Sequence, residues 1–333
     1  MKTMKLTNQT PVLVTGGAGY IGAHVCKALA RAGYLPICID NLSTGHVEAV
    51  RWGPLVVADV GDAAAVARLV DEHRPVAAMH FAAFSQVAES VKYPERYFEN
   101  NVGAAASLVK TLMEGGVESL VFSSTAAVYG LTEQPLIPEG APTVPINPYG
   151  ASKLAFETLL GWLGSAGRMR SVILRYFNAA GADPEGEIGE RHEPETHLIP
   201  LVCEAALGRR EPITVFGTDY PTPDGSAVRD YVHVCDLVDA HVLALQWLLK
   251  GQDSRVWNVG TGSGHSVKEV LSAGSRILGA QVPHTIGGRR PGDPASLVAD
   301  SAAIRRELGW RPSRSLEDMI ASAGEWAGRA GAG

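Results

Sequence analysis

The sequence predicts an α/β protein with a doubly wound parallel sheet and a smaller C-terminal α/β domain. Two observations predict this fold: short apolar runs alternate with amphipathic segments through the first half of the chain, and a glycine-rich turn follows the first run. Strands buried on both faces of a sheet give continuous apolar runs, and the segments between them form the covering helices. At 333 residues the chain is long enough to bury such a core.

The elements of the first half follow one another in a regular order. Helices are predicted from about Tyr20 to Ala32 and up to about His73, where apolar residues recur at helical spacing. The predicted strands are PVLVTG, LPICID, LVVADV, AAMHFAA and SLVFSS. This strand and helix alternation is typical of βαβ units.

The regular alternation ends after SVILRYFNAAG, where a stretch rich in glycine, proline and charge begins. We therefore predict a first domain over residues 1–180 and a second over residues 181–333. The later segment RVWNVGTG has the pattern of a strand that returns to the first sheet.

Charge and composition exclude several classes of function. The net charge of -6 and the lack of any Lys/Arg run argue against nucleic-acid binding. No stretch of about 18 apolar residues occurs, and MKTMKLTNQT lacks a signal-peptide core, so neither membrane insertion nor secretion is expected. Cys26, Cys38, Cys203 and Cys235 are far apart in the sequence, so we predict no metal site and reduced, buried thiols in a cytoplasmic protein.

The turn VLVTGGAGYIG predicts a dinucleotide site of the Rossmann type. Gly16, Gly19 and Gly22 lie where a strand meets a helix, and missing Cβ atoms let backbone N–H groups approach a pyrophosphate. Asp40 follows 18 residues after Gly22, at the end of the second strand, where a carboxylate binds ribose hydroxyls. That carboxylate would repel the extra phosphate of NADP, so we predict NAD.

A purely structural role is an alternative to cofactor binding for two carboxylates, Asp40 and Asp59. Because aspartate is common in turns, Asp40 could be a turn residue instead of a ribose ligand. Asp59, at the end of LVVADV, is placed to reach the adenine amino group, but it is also a candidate N-cap for the helix AAAVARLV.

A second group of residues predicts proton transfer. Asn147 and Pro148 are suited to the N-cap and first position of a helix, which sets Tyr149 and Lys153 four residues apart on one face. Lys153 and a cationic nicotinamide would favour the phenolate and bring Tyr149 into range as a general base. Thr125, at the end of the strand SLVFSST, is predicted to hydrogen-bond the reacting hydroxyl. By itself a YxxxK spacing is more typical of surface packing.

These motifs in order, GxxGxxG, Asp40, HFAA, SSTAAVYG and YxxxK, resemble the extended short-chain dehydrogenase/reductase family over nearly the whole chain. LRYFNAAG, THLIP, ITVFGTDYPTPDGSAVRDYVHV and RRPGD narrow the resemblance to its nucleotide-sugar 4-epimerases. The resemblance implies NAD-dependent inversion at C4 of a UDP-hexose, UDP-glucose or UDP-galactose, through a transient 4-keto sugar.

The resemblance also implies a role for each matching residue. Tyr149 is the implied base, Lys153 the ribose-binding residue that lowers its pKa, and Thr125 the hydroxyl that most relatives supply as serine. The further residues implied around NAD are Tyr20, Ile21, Asn41, Thr44, Gly45, Val60, Phe81, Ala82, Ala83, Ser85, Asn100 and Tyr176. Those implied around the UDP-sugar are Asn178, His197, Leu198, Thr214, Val215, Phe216, Arg229, Arg290, Asp293 and Leu297.

Some of these residues depart from the family pattern or have a second interpretation. Ser85 stands where well-known relatives have a lysine, which predicts weaker cofactor binding, and His197 replaces an asparagine. Packing alone would also explain Phe216, His197 and Leu297. If Leu297 faces the C2 substituent of the sugar, an acetamido group is crowded but admitted, because leucine is shorter than the tyrosine of some relatives.

Three other functions remain as alternatives. A nucleotide-sugar 4,6-dehydratase would carry an Asp-Glu pair after the strand-end hydroxyl, where this chain has Ala126 and Ala127. An NAD-binding regulator would have lost Tyr149, Lys153 or the substrate arginines. A 4-epimerase acting on UDP-N-acetylhexosamines, pentoses or uronic acids would have the same motifs.

The two helical segments NVGAAASLVKTLMEGG and YGASKLAFETLLGWLG have apolar or small residues on more than one face. One face of each is expected to pack on the sheet, which leaves the other to be buried elsewhere. We therefore predict a homodimer through a four-helix bundle, as the family resemblance also implies.

Overall fold

The computed structural model of the chain describes residues 9–290 and 292–330, so residues 1–8, where the sequence predicts no signal peptide, lie outside the described residues. Its largest element is a seven-stranded sheet in which all neighbouring strands are parallel. The strands are β1 (Thr10–Thr15), β2 (Tyr34–Asp40), β3 (Leu55–Val57), β4 (Ala78–His80), β5 (Ser119–Thr125), β6 (Arg170–Tyr176) and β10 (Arg255–Val259). Their order in the sheet is β10-β6-β5-β4-β1-β2-β3.

Helices cover both faces of this sheet. They are α1 (Tyr20–Arg31), α2 (Ala63–His73), α3 (Val87–Lys92), α4 (Pro94–Phe98), α5 (Ala105–Glu114), α6 (Pro148–Ser165), α8 (Val234–Leu249) and α10 (Ala302–Leu308). Side chains of β1 alternate between two cores: Val12 and Val14 pack with α1 and α8, whereas Leu13 packs with α2, α5 and α6. This is the doubly wound fold that the sequence predicts.

The strand order reverses direction between β1 and β4. The chain runs from β1 outward through β2 and β3, and then returns to place β4 on the other side of β1. At such a switch point the two connecting loops diverge and leave a crevice at the carboxyl ends of the strands. The glycine-rich turn after β1 and the HFAA segment after β4 therefore meet at one crevice.

A second set of elements packs beside this sheet. Strand β9 (Val228–His233) pairs with β7 (Asn178–Ala180), β11 (Gly264–Ser266) and β13 (Ser296–Leu297). A separate pair consists of β8 (Ile213–Phe216) and β12 (His284–Gly287). The helices α7 (Leu198–Ala206), α9 (Val267–Leu278) and α11 (Leu316–Ala330) share a third core with these strands.

The second half of the chain contributes both to the large sheet with its helices and to the second set of elements. Helix α8 packs on the large sheet, and β10, the strand predicted from RVWNVGTG, pairs in parallel with β6 at its edge. The chain thus passes more than once between the large sheet and the second set of elements. Among the described helices, none combines the length and apolar character needed to cross a membrane.

The expectation that all four cysteines are buried is wrong for Cys235. The thiols of Cys26 and Cys38 are 12 residues apart in the sequence, but their Sγ atoms lie 3.3 Å apart in the core. Helix α1 leads directly into β2 and packs against it, which brings the two side chains face to face. Both remain thiols, as do Cys203, which is buried, and Cys235, which is only half-buried.

Candidate active site

The turn after β1 has no room for a side chain at Gly16 or at Gly22. Gly16 has a φ of +69°, and a Cβ there would lie 2.7 Å from the Ala82 backbone nitrogen. A Cβ on Gly22 would lie 2.0 Å from the carbonyl oxygen of Gly16. Gly19 precedes α1, whose N-terminus has no side-chain cap among the described residues. Its free N–H groups and positive dipole end suit a pyrophosphate, so the turn fits the dinucleotide that the sequence predicts.

Asp40 ends β2 beside this turn, as predicted. Its Oδ2 accepts from the Ala18 N–H at 3.0 Å and its Oδ1 from the Leu42 N–H at 2.8 Å. Each carboxylate oxygen retains a further acceptor position. Thr44 is exposed nearby, and a Cβ on Gly45 would lie 2.9 Å from that of Ala18. Asp40 therefore holds the turn and still offers a carboxylate to ribose hydroxyls.

Asp59 does not cap the following helix. The N-cap of α2 is Asp62, whose side chain accepts two first-turn N–H groups. Asp59 instead accepts from the side-chain amide of Asn41 and from the Gly61 N–H, each at 2.8 Å. This contact links the ends of β2 and β3, where the adenosine half of a dinucleotide is predicted. The side chain of Val60 is buried in the core, so only its backbone is available there.

The loop after β4 is bound to the end of β1. The Thr15 hydroxyl oxygen lies 2.7 Å from Nδ1 of His80 and accepts from the N–H groups of Phe81 and Ala82 at 3.2 and 3.3 Å. These bonds fix the backbone of the HFAA segment opposite the glycine turn. Farther along the loop, Ala83 is half-buried and Ser85 is exposed.

Asn101, which the sequence analysis missed, holds the same loop from the other side. Its side chain accepts from the Phe84 N–H at 2.9 Å and donates to the Phe84 carbonyl and to the Ser152 hydroxyl, both at 3.0 Å. The predicted cofactor residue Asn100 donates to Asn101 at 2.9 Å. Two adjacent asparagines in an otherwise apolar helical segment were the available signal.

Two more predicted cofactor residues lie near α1. Tyr20 donates its hydroxyl to the Gly181 carbonyl at 2.6 Å, which ties the start of α1 to the segment after β7, and Ile21 packs against the first core. Tyr176 ends β6, and its hydroxyl accepts from Ser123 at 3.2 Å. The crevice thus joins residues at the carboxyl ends of several strands of the large sheet.

Thr125, Tyr149 and Lys153 converge where β5 ends and α6 begins. Asn147 caps α6 by accepting from the Gly150 N–H at 2.9 Å, with Pro148 in the first turn, as predicted. The exposed fractions of the three residues are 8%, 7% and 3%. The Thr125 oxygen accepts from the Ala127 N–H, and the Thr125 hydroxyl also contacts Tyr149.

Burial sets the electrostatics of this group. It raises the pKa of Tyr149, and the nearby Tyr176 raises it further, whereas a hydrogen bond with Thr125 lowers it. Burial lowers the pKa of Lys153 to about 7, against a smaller opposing effect of Glu157. The Lys153 ammonium donates to the Ser123 carbonyl at 2.9 Å. For Tyr149 to act as a base, a positive charge must therefore stand beside it.

An ion pair that the sequence did not predict lies behind these residues. Glu157, one turn after Lys153, accepts from Arg175 on β6, with an Nη2–Oε2 distance of 2.6 Å, and from the Ser124 hydroxyl. Arg175 also donates to the hydroxyl of Tyr129 at 3.1 Å. The exposed fractions of the Glu157 and Arg175 side chains are 5% and 9%. The pair anchors α6 to the sheet.

Four of the predicted nucleotide-sugar residues form two pairs of side chains, each between a residue of β8 or β9 and a residue of the segment after β12. Nη2 of Arg229 lies 2.5 Å from Oδ1 of Asp293. The Arg290 guanidinium lies 3.9 Å from the ring centre of Phe216. Leu297 on β13 is paired in register with Arg229 on β9 and also packs against the cluster that contains Ala126 and Phe177, beside Thr125.

The remaining predicted substrate residues differ in their burial and in the elements on which they lie. Asn178 is exposed at the start of β7, Leu198 begins α7, and Thr214 is half-buried on β8. The side chain of Val215 is fully buried in the third core, so only its backbone can face a ligand. Nδ1 of His197 is paired with carboxylates, which raise its pKa to about 10 against the effect of burial.

Comparisons with known proteins agree with this geometry. The profile of the NAD dependent epimerase/dehydratase family matches residues 12–260. UDP-glucose 4-epimerases of Rhizobium leguminosarum bv. trifolii and Azospirillum brasilense are 50% and 51% identical, over 95% and 96% of this chain and 96% and 94% of theirs. The structure of UDP-glucose 4-epimerase from Brucella ovis in complex with NAD has a TM-score of 0.93 at 45% identity, covering 96% of this chain and 98% of that one.

Proposed function

The chain belongs to the NAD dependent epimerase/dehydratase family, and we propose that it is a UDP-glucose 4-epimerase that interconverts UDP-glucose and UDP-galactose in galactose metabolism. The observation that carries this proposal is the convergence of Thr125, Tyr149 and Lys153 at the same edge of the sheet as a turn shaped for a dinucleotide pyrophosphate. The curated relatives named above, similar over nearly their whole length, support the same activity.

In the proposed mechanism, Tyr149 takes the proton of the C4 hydroxyl. When bound, NAD supplies the acceptor and donor of the C4 hydride, and its cationic ring supplies the positive charge that the buried phenol needs. Thr125 donates its hydroxyl proton to the C4 oxygen and so holds that oxygen beside Tyr149, which the same hydroxyl contacts in this structure. The Thr125 oxygen already accepts from the Ala127 N–H, which orients the hydroxyl. Lys153 is held at the Ser123 carbonyl, one helical turn from Tyr149, where it favours the phenolate.

Inversion requires the 4-keto sugar to present its other face while the nucleotide stays bound. We propose that Arg229 and Arg290 hold the diphosphate, since guanidinium groups bind phosphates in a bidentate manner. Phe216, already stacked with Arg290, would pack against the uracil. In this arrangement residues 1–180 hold mainly NAD and residues 181–333 mainly the UDP-sugar, with a firm hold on UDP and a loose one on the sugar.

The experiment that tests the function is an assay of the purified protein on a panel of UDP-sugars. We expect UDP-galactose and UDP-glucose to interconvert to equilibrium without net reduction of NAD. A 4-keto-6-deoxy product would instead identify a 4,6-dehydratase, and selective turnover of a UDP-pentose or UDP-uronic acid would identify another 4-epimerase. No turnover on any substrate, with NAD bound, would favour a regulator.

A prediction about substrate breadth concerns Leu297. We expect UDP-N-acetylglucosamine to be converted more slowly than UDP-glucose, and Leu297→Tyr to abolish the former activity while sparing the latter. The added ring would fill space beside the C2 substituent, and pocket changes of this size alter specificity by roughly 10-fold to 200-fold. The measurement is kcat/KM for both sugars.

The matched control is Leu297→Ile, which keeps the volume and apolar character and should leave the ratio of the two activities close to that of the wild type. Equal loss of both activities in Leu297→Tyr, or no change in either, would show that Leu297 only packs against its neighbours.

We also propose a homodimer that pairs α5 and α6 of two chains in a four-helix bundle. The low amphipathicity of α6 fits this proposal: one side packs on the sheet, and Trp162 near its C-terminus is 71% exposed. We expect light scattering at micromolar concentration to give twice the chain mass of 35.2 kDa, and Trp162→Glu to shift the mass towards the monomer. A monomeric wild-type protein would contradict this assembly.

The proposed location is the cytoplasm. All four cysteines are free thiols, and three of them are buried. The sulfur atoms of Cys26 and Cys38 lie 3.3 Å apart, which is the separation of a thiol–thiol contact and not of a disulfide. Reduced thiols are typical of a cytoplasmic environment.

A further inference from the structure

The loop that leads into α7 gathers two histidines and two glutamates. Glu190, His192, Glu195 and His197 each offer one ligand atom, and these atoms all lie within 4.8 Å of one another. We propose that the four side chains form a binding site for a divalent transition-metal ion of the zinc class. The proposal does not depend on the epimerase activity.

The distances between the ligand atoms match a tetrahedral ion. Nδ1 of His197 lies 2.8 Å from Glu190 and 3.0 Å from Glu195, and Nδ1 of His192 lies 3.2 Å and 3.5 Å from the same two carboxylates. Zinc binds nitrogen and carboxylate oxygen at about 2.0–2.2 Å, which in a tetrahedron separates neighbouring ligands by about 3.4 Å. The four atoms therefore need only small shifts to surround one ion. Mixed imidazole and carboxylate donors suit zinc.

The carboxylates are withdrawn from water, and part of the cluster has no partner. The exposed fractions of the Glu190 and Glu195 side chains are 5% and 8%. Among residues 9–290 and 292–330, Oε2 of Glu190 and Nδ1 of His192 are buried without a hydrogen-bond partner. Leaving such groups unsatisfied in a protein interior is costly. An ion at the centre of the cluster would give Nδ1 of His192 a partner, since this atom faces both carboxylates.

A neighbouring cluster of carboxylates is neutralised by a lysine of the protein and serves as a comparison. Asp183, Glu185 and Glu187 surround the ammonium of Lys27, with N–O distances of 2.7, 2.8 and 2.5 Å. No lysine or arginine of the described part of the chain forms an ion pair with Glu190. The first cluster thus has its cation built in. The carboxylates of the second are met by imidazole nitrogens and, at Glu195, by the N–H groups of Thr196 and His197.

The surrounding contacts hold the loop in position for this role. The indole N–H of Trp326 donates to the Glu190 carbonyl at 2.9 Å, and the side-chain amide of Gln86 donates to the Pro194 carbonyl at 3.4 Å. The loop therefore spans from α11 to the segment that follows β4. Coordination through Nδ1 would leave the Nε2 proton of His197 free for a second hydrogen bond, as is usual for metal-bound histidine.

The test measures metal binding by protein that carries no affinity tag. We expect chelator-treated protein to take up one equivalent of Zn²⁺ after dialysis, measured by mass spectrometry of the metal. Co²⁺ in its place should give the intense visible absorption of a tetrahedral site. His192→Ala and the isosteric Glu190→Gln should each weaken binding by at least about 10-fold to 100-fold.

The matched control is His46→Asn, because Nε2 of His46 lies 3.4 Å from the Arg191 carbonyl on the same loop but outside the cluster. It should bind Zn²⁺ as the wild type does. Circular dichroism checks that each variant folds, and Glu190→Gln serves if His192→Ala does not. Substoichiometric Zn²⁺ in the folded wild type, or equal loss in His46→Asn and Glu190→Gln, would overturn the site and leave a network of ion pairs.

Discussion

Replacing Tyr149 with phenylalanine is expected to lower turnover of UDP-galactose by about 100-fold to 10,000-fold, the contribution typical of a general base. The substitution removes one oxygen from a side chain that is 7% exposed, so the fold and the amount of bound NAD should remain unchanged. The phenol is the group in contact with Thr125 at the meeting point of β5 and α6, which makes it the proposed acceptor of the C4 proton. Steady-state kcat and the NAD released on denaturation are the two measurements.

Two variants of Thr125 provide the comparison. Thr125→Ser keeps the hydroxyl and should retain most of the activity. Thr125→Ala should cost less than Tyr149→Phe, because the threonine orients the hydroxyl and does not take its proton. A Tyr149→Phe enzyme within a few-fold of the wild type would remove Tyr149 from the role of base.

The second large effect is expected on stability. Arg175→Met should lower the free energy of unfolding by about 3–5 kcal/mol, because it leaves the buried carboxylate of Glu157 without its counter-charge. The Ser124 hydroxyl still donates to that carboxylate, but a neutral donor does not replace an ion pair. Urea unfolding followed by circular dichroism measures the change.

The double variant Glu157→Gln with Arg175→Met is the matched control. It removes both charges, so much of the lost stability should return, since exchanging a whole buried ion pair for neutral groups is often close to neutral. A single variant within about 1 kcal/mol of the wild type, or a double variant less stable than the single one, would show that the pair does not anchor α6.

Local sequence was sufficient for the parts of the site that lie within one element or one turn. The glycine turn, Asp40 at the end of β2, and the helix that presents Tyr149 and Lys153 all follow from neighbouring residues. A strand end, an N-cap and a four-residue helical spacing are short-range features, and their geometry is set by backbone sterics and hydrogen bonding. The predicted strand at residues 255–259 follows from its apolar run in the same way.

Local sequence was not sufficient where several residues of one kind compete for one role. Asp59 and Asp62 both precede α2. The candidate N-cap predicted from the sequence is Asp59, whereas the structure places Asp62 there. Asn100 and Asn101 are adjacent, and only the packing of the loop after β4 against α6 shows that Asn101 is the anchor. The choice depends on which side chain faces a distant element.

What the sequence by itself determined was the doubly wound sheet, the cofactor turn and the phenol and ammonium on one helix face, because these depend on periodicity and on spacings of a few residues. Only the tertiary structure decided that Glu157 pairs with Arg175, that Arg290 stacks on Phe216, and that Lys27 bonds to Asp183 across 156 residues. It also drew the two histidines and two glutamates before α7 into one cluster. Such pairings form between elements that the chain joins only after folding, and no local pattern of residues records which of them will meet.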